Sequence, residues 1–90
     1  MVDQERYKQE LERLRDTIAK AADALKLPLL REELAELKEE MNAPEFWNNL
    51  ERSTAVNRKV SQIEGKLDHV QRLQTRADDV EAMLELLAED

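Results

Sequence analysis

An all-α fold, an antiparallel helical bundle or coiled coil of three helices with the third much the longest, is predicted by composition, apolar spacing and the placing of two prolines. Of the 90 residues, 39% are charged and 41% hydrophobic, with one Gly and two Pro. That is the make-up of long helices, whereas a β-fold needs many more turn residues. Apolar side chains recur at alternating steps of three and four, the seam of a helix packed on a helix. Both prolines, Pro28 and Pro44, stand where those patterns break. A chain of this size makes one domain at most, spanning residues 1–90, and is too small to enclose a deep active-site cavity.

The first helix is expected over residues 4–25, where Tyr7, Leu11, Leu14, Ile18, Ala21 and Leu25 form the seam. It weakens at Leu25-Lys26-Leu27, because Leu25 and Leu27 claim the same seam position in incompatible phases. Pro28, with its φ pre-set and no N–H to lose, opens a second helix over residues 28–41. Leu27, Leu30, Leu34, Leu37 and Met41 continue the seam, and the outer face is almost all Glu, Arg and Lys. Pro44 then ends that helix and suits the start of the next. Around it, Pro44, Phe46, Trp47 and Asn48 form a corner holding the only Phe and the only Trp of the chain. These two rings are expected to plug the end of the bundle, each burying about 150–250 Å²; a partner-binding hot spot is the alternative.

Asn48 or Asn49 can cap a third helix over residues 50–88, about 58 Å long at 1.5 Å per residue. Its seam runs through Val56, Val60, Ile63 and Leu67, then Val70, Leu73, Ala77, Val80, Leu84 and Leu87. The successive steps of three from Leu67 to Val70 to Leu73 amount to a three-residue insertion that overwinds a coil locally, and Gly65 lies nearby on the outer face, so a bend is expected there. Flanking charges predict how the helices pair. Glu33 and Glu40 border the second seam on the side where Arg52, Lys59 and Lys66 border the third. Antiparallel neighbours set such flanks opposite each other, so acids face bases and the corner is a reversal.

Net charge is −7, but unevenly spread: twelve acids and eight bases in residues 1–50, three and six in 51–76, six and none in 77–90. The overall sign disfavours nucleic acid. In the basic middle, acids alternate with the bases and no aromatics interleave, so a solvated or internally paired face is expected, with contact to RNA phosphates as the alternative, and sequence-specific nucleic-acid binding is not expected. No cysteine is present, which removes disulfides and thiolate metal sites and suits a reducing compartment. The N-terminus has no apolar signal core, and no run of 18 apolar residues offers a membrane span. The expected localisation is cytoplasmic.

No catalytic, cofactor or metal residues are expected from the sequence. His69 is the only histidine and follows Lys66 rather than a Glu three residues before it, so the Glu-x-x-His pair of helical di-metal sites is missing. The acids Asp78, Asp79, Glu81, Glu85, Glu89 and Asp90 lack the Gly-turned loop of a calcium site and read as a solvated face. There is no Gly-rich phosphate loop and no nucleophile motif. The expectation is a protein that is not an enzyme.

The run Leu34-Ala35-Glu36-Leu37-Lys38-Glu39-Glu40-Met41-Asn42-Ala43-Pro44-Glu45-Phe46-Trp47-Asn48-Asn49 resembles the N-terminal helical domain of bacterial peptide chain release factor two, within the class I release factor family. There, a second helix leads into an Asp-Pro-x-Phe-Trp-Asn-Asp corner. The likeness covers Leu25 to Asp90, with Pro44, Phe46, Trp47 and Asn48 as its specific core. Ala43 stands where that family usually has Asp, Asn49 where a second Asp is common, and a Leu-Arg-Gly stretch near Ala21 to Asp23 is absent. Family members read stop codons through a Ser-Pro-Phe region and release the peptide through a Gly-Gly-Gln loop. Neither motif is present in this chain. The resemblance implies the N-terminal part of such a factor, acting in translation termination by docking and positioning on the ribosome through the full-length factor. Rival readings are an autonomous coiled-coil oligomerisation or adaptor module, and an acidic helical decoy that borrows the shape.

Two arrangements of the short helices satisfy the pattern. A hairpin of the first two across Lys26-Leu27 covers only the corner half of the third helix, leaving Val70, Leu73, Ala77, Val80, Leu84 and Leu87 as an open seam for a homodimer. Alternatively, the first helix continues past Pro28 and the two together cover the whole seam of a monomer. The short link points to the hairpin.

Overall fold

The computed structural model describes residues 3–89 and consists of α1 (Gln4–Leu25), α2 (Leu27–Met41), a 3₁₀ turn (Phe46–Asn48) and α3 (Leu50–Glu89), with no strand among the described residues. Met1, Val2 and Asp90, the ends of the expected span, lie outside the described residues. The chain falls into two compact units: residues 25–68, and residues 1–24 together with 69–90. α3 runs through both as one uninterrupted helix, Gly65 included.

Each helix start has a local cause. Asp3 begins α1 by accepting the Arg6 N–H on Oδ1 at 3.1 Å, and Asn49 begins α3 by accepting the Arg52 N–H on Oδ1 at 3.0 Å. Both side chains satisfy an N–H with no partner inside the helix. Between α1 and α2 the interruption is a single residue. Lys26 takes the left-handed conformation (φ 53°, ψ 60°) and its carbonyl accepts from the N–H groups of Leu29 and Leu30. Pro28 therefore sits inside the first turn, and α2 starts at Leu27, one residue earlier than its proline suggests.

In the unit of residues 25–68, α2 packs antiparallel on the first part of α3. Glu40 meets Arg52, and seven residues farther along each helix Glu33 meets Lys59. Those are the acid–base flanks the sequence predicts. The core joins Phe46, Val56 and Val60 to Leu34, Leu37 and Met41 of α2, with Ile63 1% exposed. In the other unit α1 packs antiparallel on residues 69–89 of α3, burying Ile18, Val70, Ala77 and Leu84. The expectation that the seam from Val70 to Leu87 stands open is corrected at its centre, where Val70, Ala77 and Leu84 are buried within this unit.

The buried stripe of α1 also differs in detail. Leu11, Ile18 and Leu25 turn inward as expected, but Arg15 and Ala22 are more covered than Leu14 and Ala21, and Tyr7 is exposed. Within this unit α1 buries a stripe narrower than its apolar face.

Candidate functional site

Two surfaces carry the residues that the sequence singles out. The first is the corner. Asn42 and Ala43 close α2 by donating to Glu39 and Glu40, and the Phe46 N–H donates to the Ala43 carbonyl at 3.1 Å. Pro44 thus occupies the second position of a β-turn, followed by Glu45 at φ −88°, ψ −7°, the third-position geometry of type I. It opens a turn rather than the next helix, and the 3₁₀ turn follows. At three residues per turn, neighbouring side chains there diverge by about 120°, so Phe46 and Trp47 cannot enter one core together.

Phe46 goes in, at 6% exposure, and Trp47 stays out at 59%. The expectation that both rings plug the bundle is corrected for Trp47. Its ring meets Phe46 edge-on, with centroids 4.8 Å apart and planes at 86°, a favoured aromatic geometry that holds an exposed indole in a set orientation. Pro44 and Asn48 are exposed, and Asn48 leaves the capping of α3 to Asn49. Leu50, the first residue of α3, is 79% exposed. The sequence reading did not place Ser53 in the core. Ser53 is buried, with its hydroxyl donating to the Leu50 carbonyl at 3.1 Å. Carrying the 3-4 spacing backward from Val56 would have found it.

The charge at the corner is one-sided. Between Glu39 and Glu51 there are four acids and no base. The nearest cation, Arg52, forks onto Glu40 through two 2.7 Å hydrogen bonds. These bonds hold the Glu40 carboxyl below its ordinary range and raise Arg52. Glu45 and Glu51 have no ion-pair partner among the described residues.

The second surface lies along residues 69–89 of α3. Val70, Ala77 and Leu84 are buried, Leu73 is half-buried, and Val80 and Leu87 keep 39% and 40% exposure. Met83 and Leu86 beside them are exposed. On α1, Tyr7 and Leu14 stand three residues from the buried line, as Val80 and Leu87 do on α3. In an antiparallel pair that offset puts all four on one flank. On the opposite flank Arg15 reaches both Asp78, at 2.9 Å, and Glu81, and these hydrogen bonds raise its pKa. The signal for that clamp is the same flank pattern seen between α2 and α3, a base beside one seam facing acids beside the other. Asp78 and Glu81 stay exposed while they pair with Arg15, so the acidic face is solvated there as expected; Asp90 of that group lies outside the described residues. An open groove of about 390 Å³ beside the clamp mixes Lys8, Glu12 and Glu85 with Leu11 and Leu84, a lining without convergent chemistry.

His69 is exposed, and no three His, Asp or Glu among the described residues gather where a metal could be held. Of the basic residues in 51–76, Arg52 and Lys59 are engaged by α2 carboxylates. No helix is long and apolar enough to cross a membrane among the described residues.

Comparison with known proteins adds sequence kinship to this geometry. The PCRF domain family matches residues 30–90, covering most of α2, the corner and α3. Peptide chain release factor 2 of Kineococcus radiotolerans is 34% identical over 80 residues, 89% of this chain and 22% of that protein. The proteins of the same name from Rhodococcus jostii and Clostridium perfringens strain SM101 are 33% and 29% identical over 81 and 80 residues, with 90% and 89% of this chain covered. The chain spans about 22% of the length of these relatives. No solved structure matches it.

Proposed function

This chain belongs to the PCRF domain family, and from that premise we propose that it is the helical domain of a peptide chain release factor, docking and positioning that factor on the ribosome during translation termination. The observation that carries the reading is the family match across the corner and α3, joined to relatives named peptide chain release factor 2 along 89% of the chain. The domain performs no hydrolysis and reads no codon, since the chain has neither a Gly-Gly-Gln nor a Ser-Pro-Phe run. It works in the cytoplasm and needs no cofactor. A net charge of −7 disfavours direct sequence-specific contact with nucleic acid and with anionic membranes.

The test adds the chain in excess to ribosomes that hold peptidyl-tRNA at a stop codon. The expected result is no peptide release, sedimentation of the chain with the ribosomes, and weak competition with an intact factor. Measurable release overturns the non-catalytic reading, and a chain that stays wholly in the supernatant overturns docking.

The exposed flank of Val80, Met83, Leu86 and Leu87 favours a second reading, self-association through α3 in an oligomerisation or adaptor module. Sedimentation equilibrium separates the two. A concentration-dependent dimer abolished by Met83→Lys supports self-association, and a strict monomer at high micromolar concentration removes it.

A further inference from the structure

The corner exposes a set of groups that intramolecular packing leaves unused. Trp47 is 59% exposed and its ring is already oriented by Phe46. Leu50 is 79% exposed, and three residues of chain keep it within about 11 Å of Trp47. Glu45 and Glu51 flank the pair in sequence without ion-pair partners among the described residues, while Arg52 is held by Glu40. An indole fixed in place loses little conformational freedom on binding, which is what makes Trp effective at the centre of an interface.

From this juxtaposition we propose that the Trp47–Leu50 corner docks an arginine-bearing protein segment, with a guanidinium stacked on the Trp47 ring, apolar side chains on Leu50, and Glu45 and Glu51 pairing with its cations. The proposal rests on the docking reading and names the chemistry of the partner. Charge decides between classes of partner. Phosphate backbones and anionic lipid headgroups meet like charge from Glu45 and Glu51, whereas Arg gains on both counts: its planar cation stacks on the indole face and pairs carboxylates in a fork. The Glu40–Arg52 pair contributes indirectly, by neutralising the one cation that would otherwise offset the acidic rim.

Trp47 is the only tryptophan, so its emission reports this corner and no other place. Three probes are titrated: a 20-residue amphipathic helical peptide of Leu and Arg, the same peptide with Glu for Arg, and an RNA hairpin. The Arg peptide is expected to shift Trp47 emission to the blue saturably, and the other two to leave it unchanged. Replacing the two rim acids together, Glu45→Lys with Glu51→Lys, is expected to weaken the Arg peptide about tenfold or more, each factor of ten being about 1.4 kcal/mol. The control pair Glu85→Lys with Glu89→Lys is expected to leave the titration as it was. Both rim acids are exposed and unpaired, and circular dichroism verifies that the variants keep their helix. Unchanged emission with the Arg peptide, an equal shift in the rim variant, or the same shift with RNA overturns the proposal. Ribosome sedimentation keeps this failure apart from failure of docking. If the parent and the rim variant sediment equally, docking stands and the corner is not its contact; if the parent does not sediment, docking falls and the peptide titration alone judges the corner.

Discussion

The two halves of α3 meet their partners under different conditions. Residues 50–68 face α2, which reaches them through only the eight residues 42–49. Residues 69–89 face α1, and the Arg15–Asp78 contact closes a separation of 63 residues. The corner half is filled by Phe46, Val56, Val60 and Ile63 against three large side chains of α2, and carries three interhelical ion pairs. In the far half the buried residues are Ile18, Val70, Ala77 and Leu84, none of them aromatic, and one arginine clamps the edge. The same apolar spacing is therefore expected to yield unequal stability. Local closure costs less entropy than a long one and is reached earlier in folding, and larger buried side chains contribute more per turn. The corner half is expected to open last.

The strongest test of that contrast is Phe46→Ala, expected to cost about 3–5 kcal/mol by loss of the ring and the cavity left behind. Urea titration would show it as a lowered midpoint. A loss under 1 kcal/mol would mean that the corner core does not carry the unit. Next is Ile18→Ala, at about 2–4 kcal/mol. Hydrogen exchange should speed up in α1 and residues 69–89 while α2 keeps its protection; equal loss in α2 would erase the distinction between the halves. Gly65→Ala is expected to stabilise by about 1 kcal/mol, because a Cβ there has nothing within 4 Å. An unchanged melting temperature would show that the glycine serves a bend in solution.

Trp47→Ala should stay within about 0.5 kcal/mol, since the indole is exposed, and its contrast with Phe46→Ala isolates what burial contributes at adjacent positions. The smallest effect concerns pH. Glu40 is lowered by its Arg52 hydrogen bonds, so the pair's contribution is present above the ordinary glutamate range and is lost as pH falls through the depressed folded value. Thermal melts below pH 5 should lose less in Glu40→Gln than in the parent, and high salt should shrink the difference. Parallel pH profiles for the two proteins would show the pair to be neutral.

Much of this was readable from a single dimension. Leu27, Leu30, Leu34, Leu37 and Met41 on α2, and Val56, Val60 and Ile63 on α3, are spaced for helices and are all wholly or partly buried. Glu33 and Glu40 pair with Lys59 and Arg52 because flanking charges keep their register along a helix. At the candidate site, position was legible and orientation was not. Pro44, Phe46, Trp47 and Asn48 mark the corner from their residue types alone, yet no spacing rule distinguishes which of two adjacent aromatics enters a core with room for one.

What the amino-acid order determined by itself was periodicity and punctuation: where helices run, which stripe is apolar, where prolines and Asn caps interrupt them. Those follow from local sterics and from hydrogen bonds within a few residues. Tertiary structure alone decided that Lys26 takes a left-handed conformation, that α1 spends its apolar stripe on Val70, Ala77 and Leu84, and that Trp47 remains in water. A heptad states only that a face must be covered, and a hairpin and an extended pairing cover it with the same residues. The choice between them depends on which neighbour offers the larger buried surface, a quantity that exists only once the helices are placed in space.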